Sequence, residues 1–471
     1  MRMLVAGEWI EGNQKIPVQN PFDNSVVDTV PRASQEHIQR ALEFAARGAK
    51  TMRQLPGYER YLRLRRAADL LESRSEEFAR TITLEEGKIL AEARYEVSRA
   101  VGTLEESAEE AKRLSSEVVP LDGAPGAANR LGFTLRIPCG VVVAISPFNF
   151  PLNLVAHKVG PALAGGNTVI IKPATDTPLS ALKLAEVLLE AGIPPEGIQC
   201  VTGSGGEIGD ALCSDPRVRK ISFTGSRDVG EHICKIAGLK KVTMELGSNS
   251  PLIILPDANL EKAAQAIAAT GFANAGQVCI STQRVIPLQP IYGEVLEAVK
   301  PRVEAITTGN PLDAKTRMGP MIREHDAKRV EEWIQEAVAA GSRVVAGGGR
   351  QGALHSPTVV ADVHPRLRIS CDELFGPAVA FTPASSIDEA IALANDTRYG
   401  LSAGIFTENL ESAMRFAREV DSGNLHINWG PQWRADLMPY GGLKESGFGK
   451  EGPHYAIQEM TELKMVVMHL G

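Results

Sequence analysis

The chain lacks closely spaced cysteines. Its six, Cys139, Cys200, Cys213, Cys234, Cys279 and Cys371, come no nearer than the 13 positions between Cys200 and Cys213. That excludes C-x-x-C redox and zinc patterns, and no metal site is expected. A disulfide framework is not expected either, because the N-terminus MRMLVAGEWIEG has no long apolar segment of the secretory kind. Long apolar runs are missing throughout. Val141-Val142-Val143-Ala144-Ile145 is among the longest, far short of the ~18 residues of a membrane-crossing helix. A cytoplasmic protein with no membrane partner is the expectation. Positive charge is not in excess: 50 Lys and Arg meet 57 Asp and Glu, a formal net charge of −7. Nothing there invites nucleic acid. Internal repeats and low-complexity tracts are absent too. Most of the cysteines read as small buried hydrophobes; the question is which one is chemical.

What remains is an ordinary globular composition, 44% apolar and 23% charged over 471 residues, with length for about three domains. The first ~30 residues read as short strands and turns, with Asn20-Pro21-Phe22-Asp23-Asn24 as a turn cluster. Ser34 is placed to cap a helix carrying Ile38, Ala41, Leu42, Ala45 and Ala49 at helical spacing. Two more helices are predicted over about 59–81 and 88–115, with residues 120–130 as a connection. From 139 the texture becomes α/β. Strands are predicted at 140–146, 167–172, 198–202, 218–223 and 251–255, with helices near 152–164, 178–191, 205–213, 226–237 and 259–275. Such alternation implies βαβ units and a parallel sheet covered on both faces. A second alternation runs from about 283 to 428, so two α/β domains with a cleft between them are expected. The tail from about 455 reads as a strand, to be paired with 131–137 or with another subunit.

Several residues could carry chemistry, each with a structural alternative. Cys279, in NAGQVCIS, follows small residues that permit close approach; it is a nucleophile if its thiol is activated, or a buried structural cysteine. Glu245 is the only acid in VTMELGSNSP. Burial there would make it a base working near neutrality, while a cap or a paired carboxylate is the alternative. Asn149, in SPFNFP, is fixed between prolines beside a helix start; it can hold an oxyanion or cap the helix. Lys172 ends the run TVIIK, where α/β sheets bind ligands, unless it is a solvated loop lysine. Gly203-Ser204-Gly205-Gly206-Glu207-Ile208-Gly209 evokes a dinucleotide fingerprint, but its third glycine is displaced. Phe223-Thr224-Gly225-Ser226 is the better phosphate candidate, since it joins a strand to a helix N-terminus.

Together these pieces resemble the aldehyde dehydrogenase superfamily over nearly the whole chain. The resemblance rests on PFNFP (147–151), IIKP (170–173), FTGS (223–226), MELGSNSP (244–251), GQVCIS (276–281), DELFGP (372–377) and YGGLKESGFGKEG (440–452). They stand in the family's order, with 34 residues from Glu245 to Cys279. It implies an NAD- or NADP-dependent enzyme. Cys279 would attack the aldehyde, the Asn149 amide and the Cys279 N–H would hold the oxyanion, and Glu245 would activate water to release the acid. Lys172 would bind the adenosine ribose, Ser226 with Phe223 and Gly225 the pyrophosphate, and Glu373 the nicotinamide ribose, with Phe375 and Phe148 beside them. The implied fold is aldehyde-dehydrogenase-like α/β. A Rossmann-like cofactor domain (1–119 and 139–244) is joined to a catalytic domain (245–440) and a β oligomerisation arm (120–138 and 455–471). A homodimer or homotetramer follows from the same resemblance.

Two departures bear on the cofactor. Phe148 stands where the family often has Trp, with little change expected. Thr175 stands where NAD-specific members often have Glu. A carboxylate would repel a 2′-phosphate and Thr does not, so NADP stays open, with NAD slightly favoured.

For the substrate pocket, Asn149, Asn153 and His157 recur every four residues and share one helical stripe. Polar Asn153 and His157 favour a small polar aldehyde, with His157 bonded to a backbone carbonyl as the alternative. Arg99 faces the tunnel or solvent. Arg434, in WGPQWRAD, binds an anionic group or pairs with Asp436 or a partner subunit. Val278 argues against an anion, since phosphorylated-aldehyde enzymes of the family often have Arg there. The chain resembles the lactaldehyde and glycolaldehyde branch, which includes phosphonate- and sulfonate-aldehyde enzymes. Small 2-hydroxyaldehydes rank first and short anionic aldehydes second. A CoA-acylating enzyme and a non-enzymatic binding protein are the rivals; Glu245 argues against the former, the retained Cys279 against the latter.

Overall fold

The computed structural model describes residues 1–470. Two large sheets dominate. The first has eight strands, ordered Glu8–Ile10, Met3–Val5, Ile198–Cys200, Thr168–Lys172, Val141–Ile145, Val218–Thr224, Lys241–Glu245 and Gly447–Phe448. Its five central strands are parallel and its edges antiparallel. Val141–Ile145 is buried at every position, which is why it reads as an unbroken apolar run rather than an alternation. From Val141–Ile145 the chain first builds outward through Thr168–Lys172 to Ile198–Cys200. It then returns to the other side with Val218–Thr224. The strand order therefore reverses between Val141–Ile145 and Val218–Thr224. Ligands of open α/β sheets bind in the crevice beyond the strand ends at such a point.

The second sheet has seven strands, ordered Arg343–Ala346, Thr358–Ala361, Ala378–Phe381, Arg284–Pro287, Pro251–Ile254, Ser402–Phe406 and Asn424–Ile427. All are parallel except the first. Separate apolar clusters include Leu252 and Ile254 in one, and Ile253 and Ile286 in another. A third sheet pairs Thr461–His469 with Arg130–Pro138 over a nine-residue register and adds Val118–Val119. It leaves Leu131, Leu135, Leu463, Met465, Val467 and Met468 exposed.

Ser34 caps the helix Gln35–Gln54 as expected, with His37 completing a capping box. Three expectations are corrected. The helix predicted over 59–81 is two, Gly57–Ser73 and Ser75–Glu86, because Arg74 leaves helical geometry at φ −110°, ψ 16°. The tail does not extend from 455. Pro453 starts a short helix, Pro453–Glu459, that buries Ala456 and Ile457, and the strand begins only at Thr461. Glu245 does not open the second unit: it is the last residue of a first-sheet strand, paired with Thr224 on one side and Gly447 on the other.

Two helices are capped from a distance. The first N–H groups near Asn153–Ala164, those of Leu152 and Asn153, donate to Glu96 at 3.0 and 3.1 Å. Those of Leu179 and Ser180 donate to Glu85 at 2.7 and 3.0 Å. Both carboxylates are buried. Among the described residues no helix is long and apolar enough to cross a membrane. No group of three or more His, Cys, Asp and Glu side chains there is arranged to hold a metal.

Candidate active site

The turn before Cys279 is strained. Asn274 and Ala275 both take left-handed φ, 49° and 53°, at a cost of about 1–3 kcal/mol each. Gly276 follows at φ 70°; a Cβ there would lie 2.1 Å from the Gly376 carbonyl. Buried acids from the N-terminal helices hold the turn. The Asn274 N–H donates to Glu92 at 3.2 Å and its side-chain amide to Glu86 at 2.8 Å. Burial pushes Glu86 up to about 8, against the opposing pull of Lys88. Lys88 itself donates to Glu96 at 2.6 Å and to the Asn149 carbonyl at 2.7 Å.

Asn149 does not cap the helix, which starts at Asn153. Its side-chain nitrogen donates to the Gln277 carbonyl at 2.8 Å. One N–H is thus used to tie Asn149 to the Cys279 loop, and the second remains.

A cavity of about 130 Å³ opens between the sheets, lined by Cys279 and Glu245 together with Arg99, Asn153 and Arg434. Val278, Ile280, Leu401 and Tyr440 make an apolar cluster against Cys279. Burial pushes the Cys279 thiol up to about 12, and a hydrogen bond from Tyr440 opposes that rise. Both oxygens of buried Glu245 lack a hydrogen-bond partner. Burial, then the charge of Glu451, raise its pKa well above the carboxylate range, with Arg434, Lys158 and Lys450 pulling against it. A buried carboxyl without partners, beside a thiol, is suited to moving a proton.

The polar wall is an ordered ion network. Asp436 accepts from Arg99 at 2.8 and 3.1 Å, from Asn153 at 3.2 Å and from His157 at 2.8 Å. Burial would raise Asp436, but the His157 and Arg99 bonds hold it far below the carboxylate range. Glu451 accepts from Lys158 at 2.7 Å and Arg434 at 3.1 Å. Those two cations outweigh its burial and hold it at about 2. Arg434 donates its remaining terminal nitrogen to His157 Nδ1 at 3.1 Å. An arginine can only donate, so Nδ1 is an acceptor and the proton sits on Nε2, facing Asp436. Burial and then the Arg434 charge lower His157 to about 4, in keeping with that neutral ring.

All four substrate candidates belong to this network. His157 is fully buried behind the cavity wall and bonds side chains, not a backbone carbonyl. Arg434 pairs with Glu451 rather than Asp436, and keeps an unpartnered buried Nε. Arg99 is largely buried and committed to Asp436. Asn153 has both ends of its amide in use, donating to Asp436 and accepting from Thr103.

The other candidates gather at the end of the first sheet. Lys172 is buried, and burial lowers it to about 8; its amine donates to the Pro173 carbonyl at 2.9 Å. Thr175 donates to the Gly203 carbonyl at 3.2 Å. A Cβ on Gly225 would meet the Phe223 ring at 2.5 Å, so the glycine leaves room for that ring. Ser226 precedes the 11-residue helix Arg227–Ala237 and its hydroxyl makes no capping bond. Glu373 accepts from the Ser248 N–H at 3.0 Å and is pushed up to about 7 by burial. Phe148 and Phe375 meet edge to face at 5.8 Å. An open helix N-terminus and a close-fitting glycine at the point of strand reversal, with a buried lysine at the end of the neighbouring strand, fit a dinucleotide.

No sequence pattern assigns a role to Tyr440, Lys158 or Glu451, and Asp436 stands out only as a partner for Arg434. A signal existed for Lys158: it is the lone amine in NLVAHKVGPALA, a helix buried at every position.

The sequence profile of the aldehyde dehydrogenase family matches residues 9–466. The chain is 48% identical over 468 residues to the 3-sulfolactaldehyde dehydrogenase of Priestia aryabhattai, covering 99% of this chain and 98% of that one. It is 38% identical over 475 residues to the lactaldehyde dehydrogenase of Methanococcus vannielii, with 99% and 100% covered. Among solved structures, the NADP-dependent glyceraldehyde-3-phosphate dehydrogenase from Bacillus halodurans C-125, complexed with NADP, superposes with a TM-score of 0.98 at 36% identity. The match covers 100% of this chain and 99% of that one. With that fold and a thiol and an unpaired carboxyl sharing one cavity, the chain belongs to the aldehyde dehydrogenase family and is an NAD(P)-dependent oxidoreductase acting on aldehydes.

Proposed function

We propose that the protein oxidises a short 2-hydroxyaldehyde to its acid, and that an anionic group at the substrate's far end is favoured. The observation that carries the chemistry is the shared cavity of Cys279 and Glu245, with Asn149 tied to the Cys279 loop. Cys279 as thiolate adds to the aldehyde carbon. The free N–H of Asn149 and the Cys279 backbone N–H hold the resulting oxyanion. A bound nicotinamide would accept the hydride, leaving an acyl group on Cys279. Glu245 then takes a proton from the water that cleaves this thioester. The unpartnered carboxyl supports hydrolysis over transfer of the acyl group to CoA.

Lys172, Thr175, Phe223, Gly225 and Ser226 would hold the adenosine and pyrophosphate side of the dinucleotide. Glu373, Phe375 and Phe148 would hold the nicotinamide side. Thr175 brings no charge against a 2′-phosphate, so both NAD and NADP fit. The cofactor domain is proposed as 1–119 and 139–245, one residue longer than read from sequence because Glu245 belongs to the first sheet. Residues 246–440 would form the catalytic domain. The exposed apolar side chains on 130–138 and 461–470 support a homo-oligomer joined through this arm.

Charge supports the anionic preference. Three cations, Arg99, Lys158 and Arg434, meet two ionised acids, Asp436 and Glu451. Arg434 Nε is an unused donor. The 3-sulfolactaldehyde relative supports a substrate combining a 2-hydroxyl with an anion. The test is kcat/KM with NAD and NADP for sulfolactaldehyde, lactaldehyde, glycolaldehyde, glyceraldehyde 3-phosphate, succinic semialdehyde and hexanal. An anionic 2-hydroxyaldehyde should lead, and Arg434→Ala should reduce anionic substrates at least about tenfold more than neutral ones. Equal loss on both would assign Arg434 to the network alone and return neutral lactaldehyde or glycolaldehyde to first place.

A further inference from the structure

Neither a helix N-terminus nor a charged imidazole activates Cys279. It follows a short 3-10 turn, Ala273–Gly276, not the start of a helix. The nearby imidazole, His157, is neutral and bonded to Asp436 and Arg434. The charged groups that act on Cys279 are Glu245 and Glu373, which oppose ionisation, and Arg434, which favours it. One hydrogen bond reaches the sulfur. It joins the sulfur to Tyr440, whose phenol oxygen lies 3.1 Å from Cys279 Sγ.

We propose that Tyr440 is a catalytic residue that donates its phenol proton in a hydrogen bond to the Cys279 sulfur and so stabilises the attacking thiolate. The polarity of the bond decides this. With a thiol at 279, either atom can donate. Once the thiol proton has left to solvent, the sulfur can only accept, and the bond becomes charge-assisted. Tyr440 remains protonated while this happens. Burial first, then the neighbouring Cys279 charge, push its own ionisation upward.

Two features fix and strengthen the donor. The Arg434 guanidinium carbon lies 4.0 Å from the centre of the Tyr440 ring. A cation over the ring draws density from it and makes the phenol a better donor. The Tyr440 backbone is locked to Glu451 by bonds in both directions, 3.2 and 2.7 Å. Glu451 in turn pins Arg434. The hydroxyl is therefore held at the sulfur by the same network that forms the polar wall.

The inference rests on Cys279 being the nucleophile. Cys279→Ala tests that reading separately: retained oxidation there would remove the nucleophile assignment whatever Tyr440 does. For Tyr440 the measurement is the pH dependence of inactivation by iodoacetamide in the coenzyme-free enzyme. Peptide mass analysis assigns the label to Cys279 rather than to exposed Cys234. In Tyr440→Phe the inflection should rise by about one pH unit, a tenfold loss of reactivity below it, with the rate at high pH retained. The kcat/KM profile should move in step. Site-specific 3-fluorotyrosine at 440, a stronger acid in the same space, should move the inflection down. It serves as the readout if the Phe variant folds poorly. An inflection unmoved in the folded Phe variant, or by 3-fluorotyrosine, overturns the proposal, however low the activity.

Discussion

The two ends of the cleft are built differently. At the end of the first sheet the candidate cofactor crevice is made largely of local chain. Phe223, Gly225 and Ser226 lie within one four-residue stretch, Lys172 and Pro173 are adjacent, and each group sits at a strand end. Under the 429–438 loop the candidate substrate cavity is made of side chains from far apart. Asp436 meets Arg99 across 337 positions and His157 across 279. The crevice uses backbone geometry, which short motifs encode. The cavity uses paired charges, which no local pattern records. The same contrast divides the acids: Glu451 has two cations and stays ionised, while Glu245 has no bonded partner and is raised. Equally buried carboxyls are thus pushed in opposite directions by the presence or absence of bonded cations.

The largest effect should come where the two ends meet. Cys279→Ala should lower aldehyde oxidation by at least about 10³-fold while NADP binding, read by fluorescence, is kept. Loss of both would mean that crevice and cavity are not separable. Glu245→Gln should reduce steady-state turnover about 10²–10³-fold and leave an initial burst of reduced coenzyme. Without a burst, Glu245 would act before the thioester forms. Asp436→Asn should strip Arg99 of its counter-charge, a cost of about 3 kcal/mol for an unpaired buried ion. Lower thermal stability and a raised KM for aldehyde should follow, with the coenzyme KM unchanged; equal change in both would erase the distinction between the two ends.

Smaller effects sharpen it. Lys172→Ala should lower the NADP-to-NAD ratio of kcat/KM about tenfold, and a ratio unmoved would take Lys172 out of the 2′-phosphate site. Glu86 tests the support of the Cys279 turn. Its carboxyl is raised from about 4.5 to about 8 by burial, near Lys88, Glu92, Glu96 and Asn274. The folded state therefore holds a proton that the unfolded chain has lost. Its contribution is fully present below pH about 4.5 and is lost as pH rises through about 8. Glu86→Gln does not titrate. Its Tm relative to wild type should climb by a few degrees between pH 5 and 8, on the order of 1–2 kcal/mol. A constant difference would mean that Glu86 is ionised throughout.

The sheets were largely legible because parallel strands buried on both faces, such as Val141–Ile145 and Thr168–Lys172, are continuous apolar runs. The strand Gly447–Phe448 was not legible: two residues carry no period, and its place beside Lys241–Glu245 depends on a return from the second unit. Cys279, Glu245 and Asn149 were legible as candidates through small, uncharged or proline-bound surroundings. The cavity shared by Cys279 and Glu245, and the bond that ties Asn149 to the Cys279 loop, were not, since these residues lie on different elements that converge only in the folded chain. Arg99 and Arg434 show the limit most directly. Both stood out as cations able to hold a substrate anion, and both proved to have internal acids.

The sequence alone determined the α/β alternation, the glycines that close turns need, and the order of motifs that carries the family resemblance. These follow from steric and periodic rules acting over a few residues. Tertiary structure alone decided which charges are paired, which carboxyl is left without a partner, and which hydroxyl meets the sulfur. Those outcomes depend on distance and desolvation between groups hundreds of residues apart, and burial amplifies both.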